Sequence, residues 1–257
     1  MILWGVVGSI LAGLATTLGC IPLLFLNKLS KKNYDATLGF AAGIMLAASF
    51  FSLLIPGLEE GLQIFGSKLH SFIAVISGLI CSCFFIKNLS NFLEKRNMKD
   101  FVPLAKTDST NSNKLILLII AICIHNFPEG LAVGVGFGAR NLNNAISLAI
   151  GIGLQNIPEG TTVAMSCLAL GMSRKKSCFI AFLSGCIEPI ASIIGLLLVN
   201  TTKYILPTGL GFAAGAMLYV ICHEMLPEMG NNNNKSYTTK WLFIGLVIMV
   251  GLDYLLD

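Results

Sequence analysis

Charge is scarce in this chain. Asp, Glu, Lys and Arg together make up 12% of its 257 residues, too few to clothe an ordinary soluble domain of that length. Histidine is rarer still, with three copies, and no second histidine lies four residues after His125, so the HExxH signature of a zinc hydrolase is missing. None of the eight cysteines forms a CxxC pair; a thiolate zinc knuckle is thereby excluded, and the cysteines read as small apolar packing residues. The net charge of +4 gives no support for a nucleic-acid partner, because the basic residues are accounted for by membrane orientation.

What is present is hydrophobicity. Apolar residues make up 55% of the chain and the mean hydropathy is +0.79. The pattern predicts an all-α, polytopic membrane protein, a single transmembrane domain over 1–257. Eight spans are expected, at 3–27, 36–58, 70–90, 114–138, 143–169, 177–199, 205–227 and 239–256, each near the roughly 20 residues that a bilayer core requires of a helix. The first has no basic leader and exceeds a signal-peptide core, so it reads as a retained helix. The segment 91–113 reads as a flexible, solvated cytoplasmic loop.

Orientation follows the basic residues. The loops after spans one, three, five and seven, with the span ends beside them, hold 14 of the 17 Lys and Arg residues. The positive-inside rule then places those loops in the cytoplasm and both termini outside.

Two repeats organise the chain. Gly39–Leu46, GFAAGIML, returns as Gly211–Leu218, GFAAGAML, at an offset of 172 residues. A looser echo links Gly19-Cys20-Ile21-Pro22 with Gly185-Cys186-Ile187-Glu188-Pro189. Spans one to three thus correspond to spans six to eight, and the odd number of crossings between partners inverts one copy. Inverted repeats are a device of secondary transporters, with the binding site near the midplane.

The second repeat carries the chemistry. His125-Asn126-Phe127-Pro128-Glu129-Gly130 lies in span four and Gln155-Asn156-Ile157-Pro158-Glu159-Gly160 in span five. Positions i, i+1 and i+4 share one side of a helix, so each phrase forms one polar cluster. Each proline lacks an N–H and frees the carbonyl four residues earlier, at Ile124 and Leu154. His125 and Gln155 lie roughly 17 Å from a membrane face at 1.5 Å per residue. An ionisable group at that depth costs about 2.5–3.5 kcal/mol on insertion scales, which marks Glu129, Glu159 and Glu188 as functional candidates. Imidazole, carboxylate and thioether suit Zn and are compatible with Fe(II), Mn, Co and Cd. Three ionised glutamates total −3, so one dication leaves −1 and a second leaves +1.

Paired at this depth, the two phrases resemble those of the Zrt-/Irt-like (ZIP) metal transporters, in particular their prokaryotic-type branch. That resemblance covers essentially the whole chain. It implies a 3+2+3 inverted-repeat bundle of eight transmembrane helices, often dimeric, that moves divalent metal into the cytoplasm. It implies no prosthetic group and no enzymatic activity; the metal, zinc before iron, manganese, cobalt or cadmium, is cargo, and the setting is a bacterial-type plasma membrane. By the same resemblance His125, Glu129, Gln155 and Glu159 hold the transported ion, with Met45 as a soft ligand. Asn126, Glu129, Asn156, Glu159 and Glu188 hold an adjacent second ion. Ser52 stands at the entrance, and His223 and Glu224 stand at the exit. Gln155 replaces the histidine of many members and Asn156 an aspartate frequent in this branch, changes that weaken the second site most. Two other functions are alternatives: an intramembrane metalloenzyme using the same ligands to activate water, and an ion-coupled carrier of an organic solute, which the inverted repeat permits but the metal-type ligands argue against.

Overall fold

The computed structural model describes residues 2–25, 31–95, 126–139, 141–169, 171–230 and 235–256, and every regular element among them is helical. Helix α1 is Ile2–Phe25. Helix α2 passes without interruption through Lys31–Ala47, a π-helical run Ala48–Leu54, and Ile55–Phe65. Helix α3 is Lys68–Lys95, α4 is 126–138 and α5 is Leu142–Ala169. Helix α6 has two runs, Arg174–Gly185 and Ile187–Thr201, meeting at Cys186. Helix α7 joins Ile205–Val220, a π-helical run Ile221–Met225, and Leu226–Gly230; α8 is Lys235–Leu256.

Six stretches among the described residues are long and apolar enough to cross a membrane, in α1, α2, α3, α6, α7 and α8. Helix α5 has the length but not the hydropathy, because Gln155, Asn156, Glu159 and two threonines fall in its middle. The first half of span four, with His125, lies outside the described residues, as do 96–113 of the expected loop. Residues 91–95 of that loop belong to α3 instead; Phe92 and Leu93 prolong its apolar pattern, and no proline or glycine intervenes to stop it.

An apolar helix suits lipid because it satisfies its own backbone. Many of its side chains then face outward. Phe72, Ile73 and Phe84 of α3, Ile190 and Leu197 of α6, and Phe243 and Val247 of α8 are all exposed. In water such a surface would drive aggregation; against acyl chains it carries no penalty.

The two π-helical runs share a cause. Ile55 N–H reaches back to Phe50 O and Leu226 N–H to Ile221 O, five residues in each case. Each is followed directly by a proline, Pro56 or Pro227. The missing proline N–H leaves the carbonyl four residues earlier, on Ser52 or His223, without its usual donor, and wider winding accommodates the ring.

Glycine determines which helices touch. A Cβ at Gly39 or Gly43 of α2 would strike the α8 backbone at Thr238 or Leu242; at Gly211 or Gly215 of α7 it would strike the α3 backbone at Val75 or Leu79. Both GFAAG phrases are thus close-approach surfaces. Gly13 of α1 and Gly185 of α6 meet backbone to backbone, each occupying the other's Cβ space. Two groups result: α2, α3, α7 and α8 pack together, as do α1, α4, α5 and α6, and α5 joins them by resting on α2 and α8. Helix α2 ends in a tight turn, with Gly66 left-handed at φ 66° and its N–H bonded to Leu62 O, a conformation that glycine adopts at no steric cost.

Candidate metal centre

The PEG phrases do two things at once. Their carboxylates sit at the centre of the α1–α4–α5–α6 group, and their glycines let neighbouring helices come close enough to meet them. A Cβ at Gly130 would collide with the backbone of Glu188, and one at Gly160 with the backbone of Thr16. Removing the side chain at those positions is what brings α6 onto α4 and α1 onto α5. Glu188 stands in the first turn after the break at Cys186, so the interruption of α6 falls beside the site.

Asn126, Glu129, Gln155, Asn156 and Glu188 are all buried, at 1% exposure or less. Gln155 Nε2 donates to Glu129 Oε1, joining α5 to α4. Asn156 Nδ2 donates to Glu188 Oε1 at 2.7 Å and to Ala12 O at 2.9 Å, joining α5 to α6 and α1. Glu159 is half-buried and lies within electrostatic reach of Glu129 and Glu188.

The remaining polar atoms are the informative ones. Glu129 Oε2, Gln155 Oε1, Asn156 Oδ1, Glu188 Oε2 and both amide atoms of Asn126 are buried and have no hydrogen-bond partner among the described residues. Buried polar atoms ordinarily find partners, since leaving one unmet costs about 1–3 kcal/mol. Here five of the unmet atoms are carboxylate or amide oxygens, and with the carboxylates ionised they cannot satisfy one another, because all are then acceptors. A cation satisfies such a set. Among the described residues no three His, Cys, Asp or Glu side chains form a metal-binding group by themselves; the converging donors are carboxylates mixed with amides, and His125 lies outside the described residues.

The other sequence candidates lie on α2 and α7. Met45 is buried in the main apolar core on α2, and its carbonyl accepts from Ser49 Oγ at 2.8 Å. Ser52, in the π-helical run of α2, donates to Asp253 Oδ1 at 2.9 Å. His223, in the π-helical run of α7, is exposed and stacks on Tyr219 with ring centroids 5.1 Å apart. The Glu224 side chain is outside the described residues.

Ser52 and Asp253 help to line a cavity of about 600 Å³, together with Glu59, Glu60, Asn141 and Asn144. The cavity gathers the ends of α2, α4 and α8 and the start of α5. It also touches Gly136, which is seven residues, roughly 10 Å of helix, from Glu129 on α4. Sequence reading did not single out Asp253. Its signal was a lone carboxylate inside the last span, close enough to the span end to pass as a solvated terminus.

These helices define a polytopic membrane protein with a cluster of buried carboxylate and amide groups between them. The chain belongs to the ZIP zinc transporter family, whose model matches residues 105–253. It is 37% identical over 250 residues to zinc transporter GufA of Myxococcus xanthus, covering 97% of each chain. It is 33% identical to zinc transporter ZIPB of Bordetella bronchiseptica, covering 97% of this chain and 80% of that one. Zinc transporter ZupT of Chlorobium luteolum is 35% identical, with 94% and 93% covered. ZIP proteins are membrane transporters and not enzymes, so the metalloenzyme reading falls.

Proposed function

We propose that this chain carries divalent transition-metal ions, zinc foremost, across a membrane into the cytoplasm through a site on α4 and α5. The observation that carries the reading is the set of buried oxygens on Glu129, Gln155, Asn156 and Glu188 without donors to meet them. Relatives named as zinc transporters over nearly their whole length support the cargo. His125, Glu129, Gln155 and Glu159 hold the ion, with Met45 approaching from α2. Asn126, Asn156 and Glu188 form the adjoining half of the cluster. Imidazole nitrogen and carboxylate oxygen are ordinary zinc ligands, and they accept iron, manganese, cobalt and cadmium as well.

The path runs through an eight-span, 3+2+3 inverted repeat. Its support is physical as well as verbal. The GFAAG glycines press α2 on α8 and α7 on α3, which are equivalent pairs under inversion. Both copies also continue into a π-helical run closed just before a proline. The offset of 172 residues carries Gly13 onto Gly185 and Thr16 onto Glu188. The contacts Gly13 with Gly185, and Gly130–Glu188 with Gly160–Thr16, obey that offset, which favours it for α1 and α6 over the Gly19–Gly185 echo. The cavity at Ser52 and Asp253 is the outer entrance and the π-helical run at His223 and Glu224 the inner exit, with both termini outside.

Purified protein in sealed proteoliposomes tests the function. Zinc, iron, manganese, cobalt and cadmium fluxes are measured with and without a proton gradient, beside an empty-vesicle control. Saturable metal flux is expected. Organic solute flux that merely depends on metal would favour the solute-carrier alternative, and no metal flux under any gradient would refute the proposal.

A further inference from the structure

Two cysteines meet across the seam between α1 and α6. The helices run antiparallel there: Gly13 lies against Gly185, and Arg174 Nη1 donates to Leu24 O at 3.2 Å, so positions rise on α1 as they fall on α6. Cys20 is seven residues after Gly13, and Cys178 is seven before Gly185. Seven residues are close to two turns, which returns both cysteines to the touching faces. The glycine pair lets the two backbones approach more closely than bulkier residues would.

The contacts between the cysteines are reciprocal. Cys178 Sγ is 3.4 Å from Cys20 O, and Cys20 Sγ is 3.9 Å from Cys178 O. The two thiols also interact side chain to side chain. A disulfide needs such an approach, because its Cβ atoms stand only about 3.5–4.5 Å apart. Both cysteines are free thiols. Cys20 is 1% exposed, in a small apolar cluster with Leu23, Val163, Ala164 and Ala181, and Cys178 is half-buried at its edge. Arg174, Lys175 and Lys176 form the turn before Cys178, and both lysines are exposed.

We propose that Cys20 and Cys178 are a reversible redox pair, oxidised by an anionic low-molecular-weight disulfide of the glutathione type. The basic turn draws the anion toward Cys178. The Cys178 thiolate, on the more exposed residue, attacks one sulfur of the reagent; its S–S bond breaks, a mixed disulfide forms and one small thiolate leaves. The Cys20 thiolate then attacks the Cys178 sulfur and releases the second small thiolate. Two protein thiols lose two protons and two electrons, and the reagent gains them as two thiols. The product staples α1 to the first run of α6 across 158 residues of sequence. On the orientation proposed above, this end of both helices faces the cytoplasm, where disulfides are transient and redox-sensing rather than structural.

The pairing does not depend on the cargo. The full chain, carrying a protease site within 96–113 and purified in detergent, is treated with oxidised glutathione. Remaining thiols are blocked with N-ethylmaleimide and the chain is cut, which leaves Cys20 and Cys178 on different fragments. The fragments are expected to migrate together on a non-reducing gel and to separate in dithiothreitol, with the link reduced to background in Cys20→Ser and in Cys178→Ser. Mass spectrometry of the unreduced digest should find the Cys20 peptide joined to the Cys178 peptide. Fragments of monodisperse wild type that separate without reductant would overturn the proposal, as would a link that persists in either serine variant. One glutathione retained on Cys178 with no link to Cys20 would overturn it as well, because the buried thiol would then be out of reach.

Discussion

Ser52 Oγ donates to Asp253 Oδ1 across 2.9 Å, joining the π-helical run of α2 to the last turns of α8 over 201 residues of sequence. Ser147 of α5 reaches the same oxygen at 3.4 Å. One carboxylate thus connects three helices beside a cavity that also holds Glu59 and Glu60. On the proposed path, a dication nearing this cavity would meet negative potential before the central cluster, which would raise its local concentration.

Asp253→Asn is accordingly expected to raise the KM for metal uptake several-fold while leaving kcat near wild type. The amide keeps a hydrogen-bonding group for Ser52 but loses the charge, and the effect should shrink as ionic strength rises. Uptake rates against metal concentration at two salt levels check both points. A fall in kcat with KM unchanged would place Asp253 in the transport cycle itself.

His125→Ala and Glu159→Ala should each lower uptake by more than about tenfold, equivalent to 1.4 kcal/mol, without preventing membrane insertion. Insertion is driven by the apolar length of the spans, to which neither side chain contributes. Surface biotinylation beside uptake assays separates the two quantities. Near-normal uptake by either inserted variant would make the cluster structural.

Gly130→Ala and Gly160→Ala should destabilise the protein although each adds only one methyl group. The new Cβ meets backbone at Glu188 or Thr16, and a backbone cannot swing aside as a side-chain tip can. Overpacking of this kind costs about 1–3 kcal/mol. Thermal unfolding in detergent should show a lowered Tm for both, whereas Gly251→Ala, where nothing lies within 4 Å of a new Cβ, should match wild type.

Tags placed within 96–113 should be reachable only from the cytoplasm and tags at either terminus only from outside. The basis is that 14 of 17 basic residues sit at one set of loops. Impermeant labelling of intact and opened cells reads this directly. Cytoplasmic termini would reverse the assignment of entrance and exit.

Much was legible in the linear sequence because its physical causes are local or periodic. Hydropathy over about 20 residues marks a helix that lipid will accept. The two PEG phrases, each in the middle of an expected span, pointed to polar chemistry at depth, although α5 falls short of the hydropathy of the other spans. The repeated GFAAG phrase was visible as a repeat, and the contacts show that both copies are close-approach surfaces. Helix ends were less legible: α3 carries on to Lys95 because termination depends on a breaker, and Phe92-Leu93 supplies none.

Only the tertiary structure decided how those pieces meet. That Asn156 spends its amide on Ala12 and Glu188 depends on residues 144 and 32 positions away, and no composition or period encodes the direction in which an amide points. Asp253 drew no attention in the sequence, and its role as a shared acceptor appears only where α2 and α5 bring Ser52 and Ser147 to it. The reason for the glycines of the PEG phrases lies in the backbone of Glu188 and Thr16 packed against them, which are distant in sequence. Hydropathy is a sum along one chain segment, whereas a hydrogen bond or a close backbone approach is a relation between two segments, and its geometry exists only once both have been placed.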